Sequence, residues 1–292
     1  MSLPGRAWSL VKRYALPAYA ALAILYMLIP IIVIAVFSFG DTPKDKLTFT
    51  LGNGFTFEYW RTMFDIPELN DALSTSLRLA ALTTLIATAI GTAMAIVLVR
   101  HRFLGKRLAN LLIVIPMATP EVVIGASLLS MFIYYSFALG FTTLLIAHVM
   151  FSISFVVVVV RSRLIGFDRN LEEAAADLGA SPFTTFRTVT LPLLAPGIVS
   201  AALLAFALSI DDFVISNFNS GTTVTFPLYV YGVSLRGIPV QVNALATLLF
   251  LIAVVAVAIV LFQQRRAERM AAVRPEAEPG GPIPLPGTAA AQ

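Results

Sequence analysis

Six long apolar runs, separated by polar or glycine- and proline-containing stretches, dominate the chain. A run of about twenty residues, at about 1.5 Å per residue, crosses a hydrocarbon core about 30 Å thick. The apolar residues are continuous and do not follow the period of an amphipathic helix or strand, which is typical of segments buried in lipid. The pattern predicts an all-α, polytopic membrane protein with six transmembrane helices, at 16–37, 79–99, 111–135, 141–160, 194–213 and 242–262.

These runs also define the predicted domain organisation. Residues 1–15 form an N-terminal segment and 16–263 the six-helix transmembrane domain. Residues 264–292 form a tail with too few apolar side chains to build a core, which predicts disorder. A basic start before an apolar run is also typical of a signal peptide, but the run at 16–37 is longer than the apolar region of such a peptide. We therefore expect the first helix to be retained.

Composition supports a membrane protein. Hydrophobic residues make up 58% of the chain and charged residues 12%, and the mean hydropathy is +0.87. Soluble domains carry about twice that charged fraction, roughly 25%. The chain has no cysteine, which excludes disulfides, thiol catalysis and cysteine-based metal sites. Gly105-Lys106 lacks the spacing of a P-loop. We therefore expect no catalytic residues, no metal and no cofactor bound directly to this chain.

Charge is distributed unevenly about the predicted spans. Basic residues cluster before the first span and after the second, fourth and sixth, whereas 39–71 carries more acidic than basic residues. Basic loops mark the cytoplasmic side, so both termini are predicted to lie inside and 39–71 outside, with a short interfacial helix near 58–64. The basic clusters are interpreted as membrane anchors and not as a nucleic-acid surface.

A polar segment at 171–198, here called the docking segment, separates the fourth and fifth spans. Its residues predict a capping box that starts one helix, a glycine that ends it, and an N-cap followed by proline that starts a second helix. A Leu-Pro pair is predicted to end that second helix. In chain order these signals are Asn170 with Glu173, then Gly179, then Ser181 with Pro182, and finally Leu191 with Pro192.

The docking segment resembles the EAA loop of permease subunits of binding-protein-dependent ABC importers. That signature is Glu-Ala-Ala, three residues, Gly, nine residues, an aliphatic residue, one residue and Leu-Pro. The alternative is an ordinary amphipathic cytoplasmic loop, which would not require these residue types at fixed spacing. The matching positions are Glu173, Ala174, Ala175, Gly179, Val189, Leu191 and Pro192.

The resemblance implies a type I ABC importer permease fold in a bacterial cytoplasmic membrane, with a cytoplasmic coupling loop. It implies a heterodimer with a second permease subunit, two ATP-binding subunits that use the ATP, and an external substrate-binding protein. Closure of the ATPase dimer would move the docking segment, tilt the spans and alternate access. The residues that the resemblance assigns to ATPase coupling are Glu172, Glu173, Ala174, Ala175, Gly179, Ala180, Ser181, Pro182, Leu191 and Pro192.

Two prolines interrupt the third apolar run, and an acidic residue follows them. Pro116 and Pro120 break the helical hydrogen-bond ladder, which is tolerated at membrane depth where the backbone lines a cavity or is buried in protein. Glu121 comes directly afterwards. His148, in the fourth run, is predicted to be a buried, hydrogen-bonded histidine.

Three carboxylates fall within predicted spans: Glu121, Asp211 and Asp212. An ionisable group there costs about 2.5 to 3.5 kcal/mol on insertion scales and is a functional-site hypothesis by default. Neighbours on a helix point about 100° apart, so one aspartate at most faces a central pathway squarely. Two explanations stay open, a cationic substrate or a structural role in which an aspartate caps a helix or pairs with Arg78. Aromatic side chains expected along the same pathway are Tyr134, Tyr135 and Phe213.

Segments 118–123, 166–168, 208–216 and 239–247 resemble permease subunits of spermidine/putrescine ABC importers, and the second or C subunit most closely. The resemblance implies a polyamine substrate, with Glu121 at an acidic position implicated in polyamine handling and Asp211-Asp212 on the Asp-Asp pair of that family. The alternatives are a permease for another small solute, such as a metal ion, a quaternary amine or an anion. A stand-alone secondary transporter would leave the docking segment unexplained.

Overall fold

The computed structural model describes residues 3–40 and 54–272, and these form helices and connecting turns without any β-strand in the described ranges. An isolated bridge joins Gly40 and Phe55. The helices are α1 (Leu3–Phe37), α2 (Glu58–Arg61), α3 (Pro67–Arg100), α4 (Lys106–Ala118), α5 (Glu121–Tyr134), α6 (Phe141–Ile165), α7 (Asn170–Asp177), α8 (Pro182–Thr185), α9 (Leu191–Ile210), α10 (Val214–Asn219), α11 (Phe226–Ser234) and α12 (Val240–Ala272), with a π-helical turn at Phe186–Thr190 between α8 and α9. The all-α prediction is confirmed, and α2 lies within the stretch where a short helix was expected.

Four helical segments in the described ranges are long and apolar enough to cross a membrane: Tyr14–Phe37, Pro67–Arg100, Phe141–Ile165 and Pro182–Ile210. They match the first, second, fourth and fifth predicted spans. A fifth is added if the broken pair α4 and α5 counts as one, and α12 contributes a shorter apolar segment, Val240–Ala256. α12 continues helical to Ala272, past the predicted start of the tail at 264, and residues 273–292 lie outside the described ranges.

The third predicted span is not one helix. α4 and α5 are bent by 109° at a break between Ala118 and Glu121. Proline disfavours helical geometry in the residue before it, and Thr119 accordingly adopts φ −85° and ψ 135°. The prolines predicted an interruption here, and the structure has one: the chain changes direction at Pro120, so the stretch predicted at 111–135 is divided between two helices.

Among the described residues, Gly40 and 54–242 form one compact unit, and 3–39 and 243–272 belong to a second. Within 40–242, α3, α6 and α9 pack around one buried cluster, which includes Ala95, Val160 and Leu194. Gly91 of α3 meets α6 so closely that an added Cβ would lie 2.6 Å from Cγ1 of Val156. Lipid is as apolar as these side chains, so close packing of small residues stabilises such contacts. Gly91 and Ala95, four residues apart in α3, are both buried in this way.

The docking segment departs from the predicted boundaries at both ends. Asn170 and Glu173 do not form a capping box; instead Oδ1 of Asp168 accepts a 3.0 Å hydrogen bond from the backbone N–H of Asn170. Gly179 adopts φ +83°, which confirms the predicted left-handed turn. Ser181 Oγ accepts from the Thr184 N–H at 3.2 Å, which confirms the N-cap of the second helix.

That second helix does not end at Leu191-Pro192. The π-helical turn carries α8 directly into α9, with the Leu191 N–H donating to the Phe186 carbonyl five residues earlier. Pro192 lies in the first turn of α9, where it is tolerated. α9 then ends at Ile210, three residues before the predicted end of the fifth span. Asp211 and Asp212 therefore follow the helix end and do not lie within the helix, as the predicted span had placed them.

Candidate functional site

Glu121 occupies the first residue of α5, directly after the break. Its carboxylate therefore lies at the positive end of the α5 helix dipole. The residue is exposed. The prolines before it thus turn the chain so that a carboxylate is presented at the start of a new helix.

Asp212 is engaged by the protein itself. Its Oδ2 accepts a 2.8 Å hydrogen bond from the backbone N–H of Ser216, and its Oδ1 accepts a 3.2 Å bond from that of Ile215. The Asp212 side chain is 5% exposed and lies 3.4 Å from Nε2 of His148. Asp212 thus has the contacts of a structural residue: its oxygens accept hydrogen bonds from the first turn of α10, and its side-chain neighbour is the His148 ring.

His148 joins α6 to the turn between α9 and α10. Its Nδ1 lies 2.9 Å from Oγ of Ser209, and its Nε2 lies 3.0 Å from Oγ of Ser216. The histidine is 2% exposed, which confirms the predicted buried, hydrogen-bonded role. Sequence alone did not indicate that its partners flank the aspartate pair.

Asp211 is the residue that follows α9, and it is exposed. Both aspartates lie within electrostatic range of Glu121. Contacts between α5 and α10 bring them there: Asn219 Nδ2 donates to the Gly125 carbonyl at 3.3 Å, and an added Cβ on Gly125 would lie 2.7 Å from the Phe218 ring. The structure thus brings three carboxylates together, with Glu121 and Asp211 exposed and Asp212 held inside.

The predicted aromatic residues separate into two groups. The rings of Tyr134 and Tyr135 lie 5.0 Å apart and are exposed, but Tyr134 is at the opposite end of the 14-residue α5 from Glu121. At 1.5 Å per residue that is about 20 Å, so these tyrosines do not surround the carboxylates. The Phe213 ring lies 4.8 Å from that of Tyr231 in α11. Tyr231 was missed because nothing local distinguishes it from other aromatics of its loop.

The docking segment is attached to the spans through Glu172. Both guanidinium ends of Arg100, the last residue of α3, donate to the Glu172 carboxylate, with Nη2 2.6 Å from Oε1. Thr190 Oγ1 donates to the same Oε1. Burial alone would raise the pKa of Glu172, but hydrogen bonds from Arg100 and Thr190 and the charges of Arg100 and Arg169 lower it below the ordinary value.

The rest of the docking segment is largely exposed. Leu178 and Phe183, on either side of the Gly179 turn, are 90% and 72% exposed. Open space surrounds Gly179, where an added Cβ would meet nothing within 4 Å. Among the predicted coupling residues, Ala175 and Ala180 are half-buried like Glu172. The exposed ones are Glu173, Ala174, Gly179, Ser181, Pro182, Leu191 and Pro192.

The family match and the relatives with similar sequences both indicate a transport permease. Residues 87–269 match the family described as binding-protein-dependent transport system inner membrane component. The chain is 38% identical over 248 residues to the spermidine/putrescine transport system permease protein PotC of Haemophilus influenzae, covering 85% of this chain and 94% of that protein. It is 37% identical over 236 residues to the putrescine transport system permease protein PotI of Escherichia coli, covering 78% and 83%.

The fold is also found in solved structures. A bacterial ABC transporter involved in the import of the acidic polysaccharide alginate superposes with a TM-score of 0.63 at 18% identity, covering 90% of this chain and 99% of that one. At that identity the likeness concerns the fold alone. Together with the match over 87–269, it leads to one conclusion: the chain belongs to the family of binding-protein-dependent transport system inner membrane components.

Proposed function

We propose that this chain is the permease subunit of an ATP-driven ABC importer that carries polyamines, spermidine or putrescine, across a bacterial cytoplasmic membrane. The similarity to PotC and PotI, over most of each protein, supports the substrate class. Alkyl amines are protonated at neutral pH, so a polyamine is an elongated polycation. Carboxylates suit such a substrate and disfavour an anion.

The exposed pair Glu121 and Asp211 is the observation that carries this proposal. The two side chains approach from different elements, the start of α5 and the end of α9, so together they can bind two amino groups of one chain-like cation. Phe213, the second residue after Asp211, offers an aromatic face to the methylene and ammonium groups. Asp212 is assigned a supporting role, because its oxygens already accept hydrogen bonds within the protein.

The same proposal covers the partners. A second permease subunit, two ATP-binding subunits and an external substrate-binding protein complete the transporter, and the ATP-binding subunits carry out ATP hydrolysis. The exposed apolar side chains of Leu178 and Phe183 are suited to an ATPase groove, and lipid covers the apolar faces of the spans. We further propose six spans with both termini in the cytoplasm.

α9 provides a direct connection between the two proposed sites. Its N-terminus continues from the docking segment and its C-terminus leads to Asp211. Its 20 residues correspond to about 30 Å at 1.5 Å per residue. A tilt that begins at the ATPase therefore moves Asp211 relative to Glu121, which alternates the carboxylate pair between binding and release of the cation.

Uptake by the assembled transporter in proteoliposomes tests this function. Labelled spermidine and putrescine are supplied with the loaded binding protein, and a quaternary amine, a divalent metal ion and an anion serve as competing solutes. We expect ATP-dependent polyamine uptake that these competitors leave unchanged. Uptake of another solute instead would overturn the substrate class. Uptake that persists with hydrolysis-deficient ATP-binding subunits and follows an ion gradient would indicate a secondary transporter.

A further inference from the structure

Three side chains from three elements meet at Glu172. Arg100 ends α3, Glu172 lies in the first turn of α7, and Thr190 ends the π-helical turn before α9. The guanidinium binds both carboxylate oxygens, and the threonine hydroxyl donates to one of them. We call this group the Arg100–Glu172–Thr190 clamp.

The surroundings favour a persistent contact. The side chains of Arg100 and Glu172 are 18% and 19% exposed, so water screens the pair less than it screens a surface ion pair. A bidentate guanidinium–carboxylate pair fixes orientation as well as distance. A cation at the C-terminus of α3 and an anion at the N-terminus of α7 each complement a helix dipole. The Arg100 guanidinium also lies 5.4 Å from the centre of the Phe167 ring.

Apolar packing does little to hold α7. None of its eight residues is buried, although α3 and α9 are both fixed in the buried cluster with α6. Directed side-chain contacts therefore add to the chain connections that make α7 follow the spans. Within the described part of the chain, Glu172 supplies an ion pair that reaches from α7 to α3 and a hydrogen bond that reaches to the start of α9.

We propose that the Arg100–Glu172–Thr190 clamp transmits movement of the docking segment to α3 and α9 at the same time. Glu172 is thus a positioning residue that acts inside the permease, and it differs from Glu173, which is exposed. This inference rests on the proposed function, because it assigns a route for ATP-driven movement. It also revises the role that the EAA resemblance implied for Glu172, which was contact with the ATPase.

Transport stoichiometry in the complete transporter tests the clamp. Glu172→Gln keeps the shape and removes the charge, Arg100→Gln removes the partner, and Asp177→Asn removes an exposed carboxylate from the same helix as a matched control. Solute transported per ATP hydrolysed is expected to fall at least about fivefold in Glu172→Gln and in Arg100→Gln, while hydrolysis continues. The double variant is expected to be no worse than either single variant, because both remove one interaction.

A distance measurement gives a readout that does not depend on the substrate. The chain has no cysteine, so spin labels at Leu104→Cys and Ala176→Cys, both exposed positions outside the proposed ATPase contact, report the placement of the docking segment against the end of α3. Glu172→Gln is expected to broaden the distance distribution in the assembled transporter, and Asp177→Asn is expected to leave it unchanged.

An unchanged distribution in Glu172→Gln, with transport and hydrolysis reduced in equal proportion, overturns the clamp and returns Glu172 to the ATPase contact. Additive losses in the double variant overturn it as well. If the wild type carries no polyamine, the proposed substrate fails separately, and the label distances still decide whether the clamp holds the docking segment.

Discussion

Asp211 and Asp212 are adjacent carboxylates with different surroundings. Replacing each with asparagine should therefore affect substrate uptake in one variant and stability in the other. Asp211→Asn removes an exposed charge, so we expect weaker polyamine uptake, seen as a raised half-saturation concentration, with the subunit still assembled. Asp212→Asn weakens the cap of α10 and the contact with His148, and hydrogen bonds to charged groups contribute about 1.5–3 kcal/mol each. Its thermal unfolding temperature should fall. Uptake kinetics and melting curves that are alike for the two variants would contradict this assignment.

Gly179 and Gly105 form a natural matched pair. Both have positive φ, +83° and +91°, and an added Cβ would meet nothing within 4 Å at either position. Aspartate imposes a similar left-handed backbone cost on each, about 1–2 kcal/mol. We expect Gly179→Asp to uncouple ATP hydrolysis from uptake because it alters the docking turn, and Gly105→Asp to leave the coupling intact. Equal coupling in the two variants, measured as uptake per ATP hydrolysed, would argue against the docking role of Gly179.

Glu172 gives a pH-dependent prediction. Burial raises its pKa, but the bonds from Arg100 and Thr190 and the nearby positive charges outweigh burial, so the folded-state pKa is lowered. The stabilisation is complete above the ordinary pKa of a glutamate, about 4.3, and is lost as the pH falls through the lowered value. The melting-temperature difference between wild type and Glu172→Gln should therefore be constant near neutral pH and disappear in acid. A melting-temperature difference that grows on acidification would contradict a lowered pKa of Glu172 in the folded state.

Between elements, the contact of α3 with α6 depends on Gly91. In an exposed helix, Gly→Ala stabilises by about 1 kcal/mol. Here the new methyl would lie 2.6 Å from Cγ1 of Val156, and overpacking typically costs about 1–3 kcal/mol. We expect Gly91→Ala to lower the melting temperature and Val156→Ala in the same chain to recover part of the loss. A stabilised Gly91→Ala variant would show that the two helices are not in close contact.

Elements that are determined by residues within their own stretch of sequence were predictable. Continuous apolar runs located the long helices, and Gly179 and Ser181 defined the docking turn because each acts on its own backbone. The π-helical turn was not predictable, because Leu-Pro ends some helices and begins others according to how the preceding turn is wound. The prolines indicated a break before Glu121, but the 109° bend depends on packing elsewhere in the fold.

The candidate sites were predictable only in part for the same reason. Acidic residues within apolar runs identified Glu121 and the aspartate pair. That Asp212 is held inside while Asp211 is exposed depends partly on His148. This residue is more than sixty positions away in the chain and reaches Asp212 only in the folded structure. The Arg100–Glu172 pair joins positions 72 residues apart, so no local spacing could reveal it.

At the scale of the whole subunit, residues 40–242 place the docking segment and the carboxylates at opposite ends of α9. α3 runs beside α9 and α6, and its last residue is held by Glu172. In the proposed transporter, movement of the docking segment would reach the carboxylates about 30 Å away along α9, since helices packed in one core tilt together.

The central claim is that an exposed carboxylate of this chain handles a polyamine, and uptake by Glu121→Gln tests it most directly. Labelled spermidine and putrescine uptake is measured in proteoliposomes of the complete transporter, beside wild type and Glu58→Gln, which removes an exposed carboxylate from α2. We predict ATP-dependent uptake by wild type and Glu58→Gln and its loss in Glu121→Gln, with ATP hydrolysis retained. Undiminished polyamine uptake by Glu121→Gln would contradict the account.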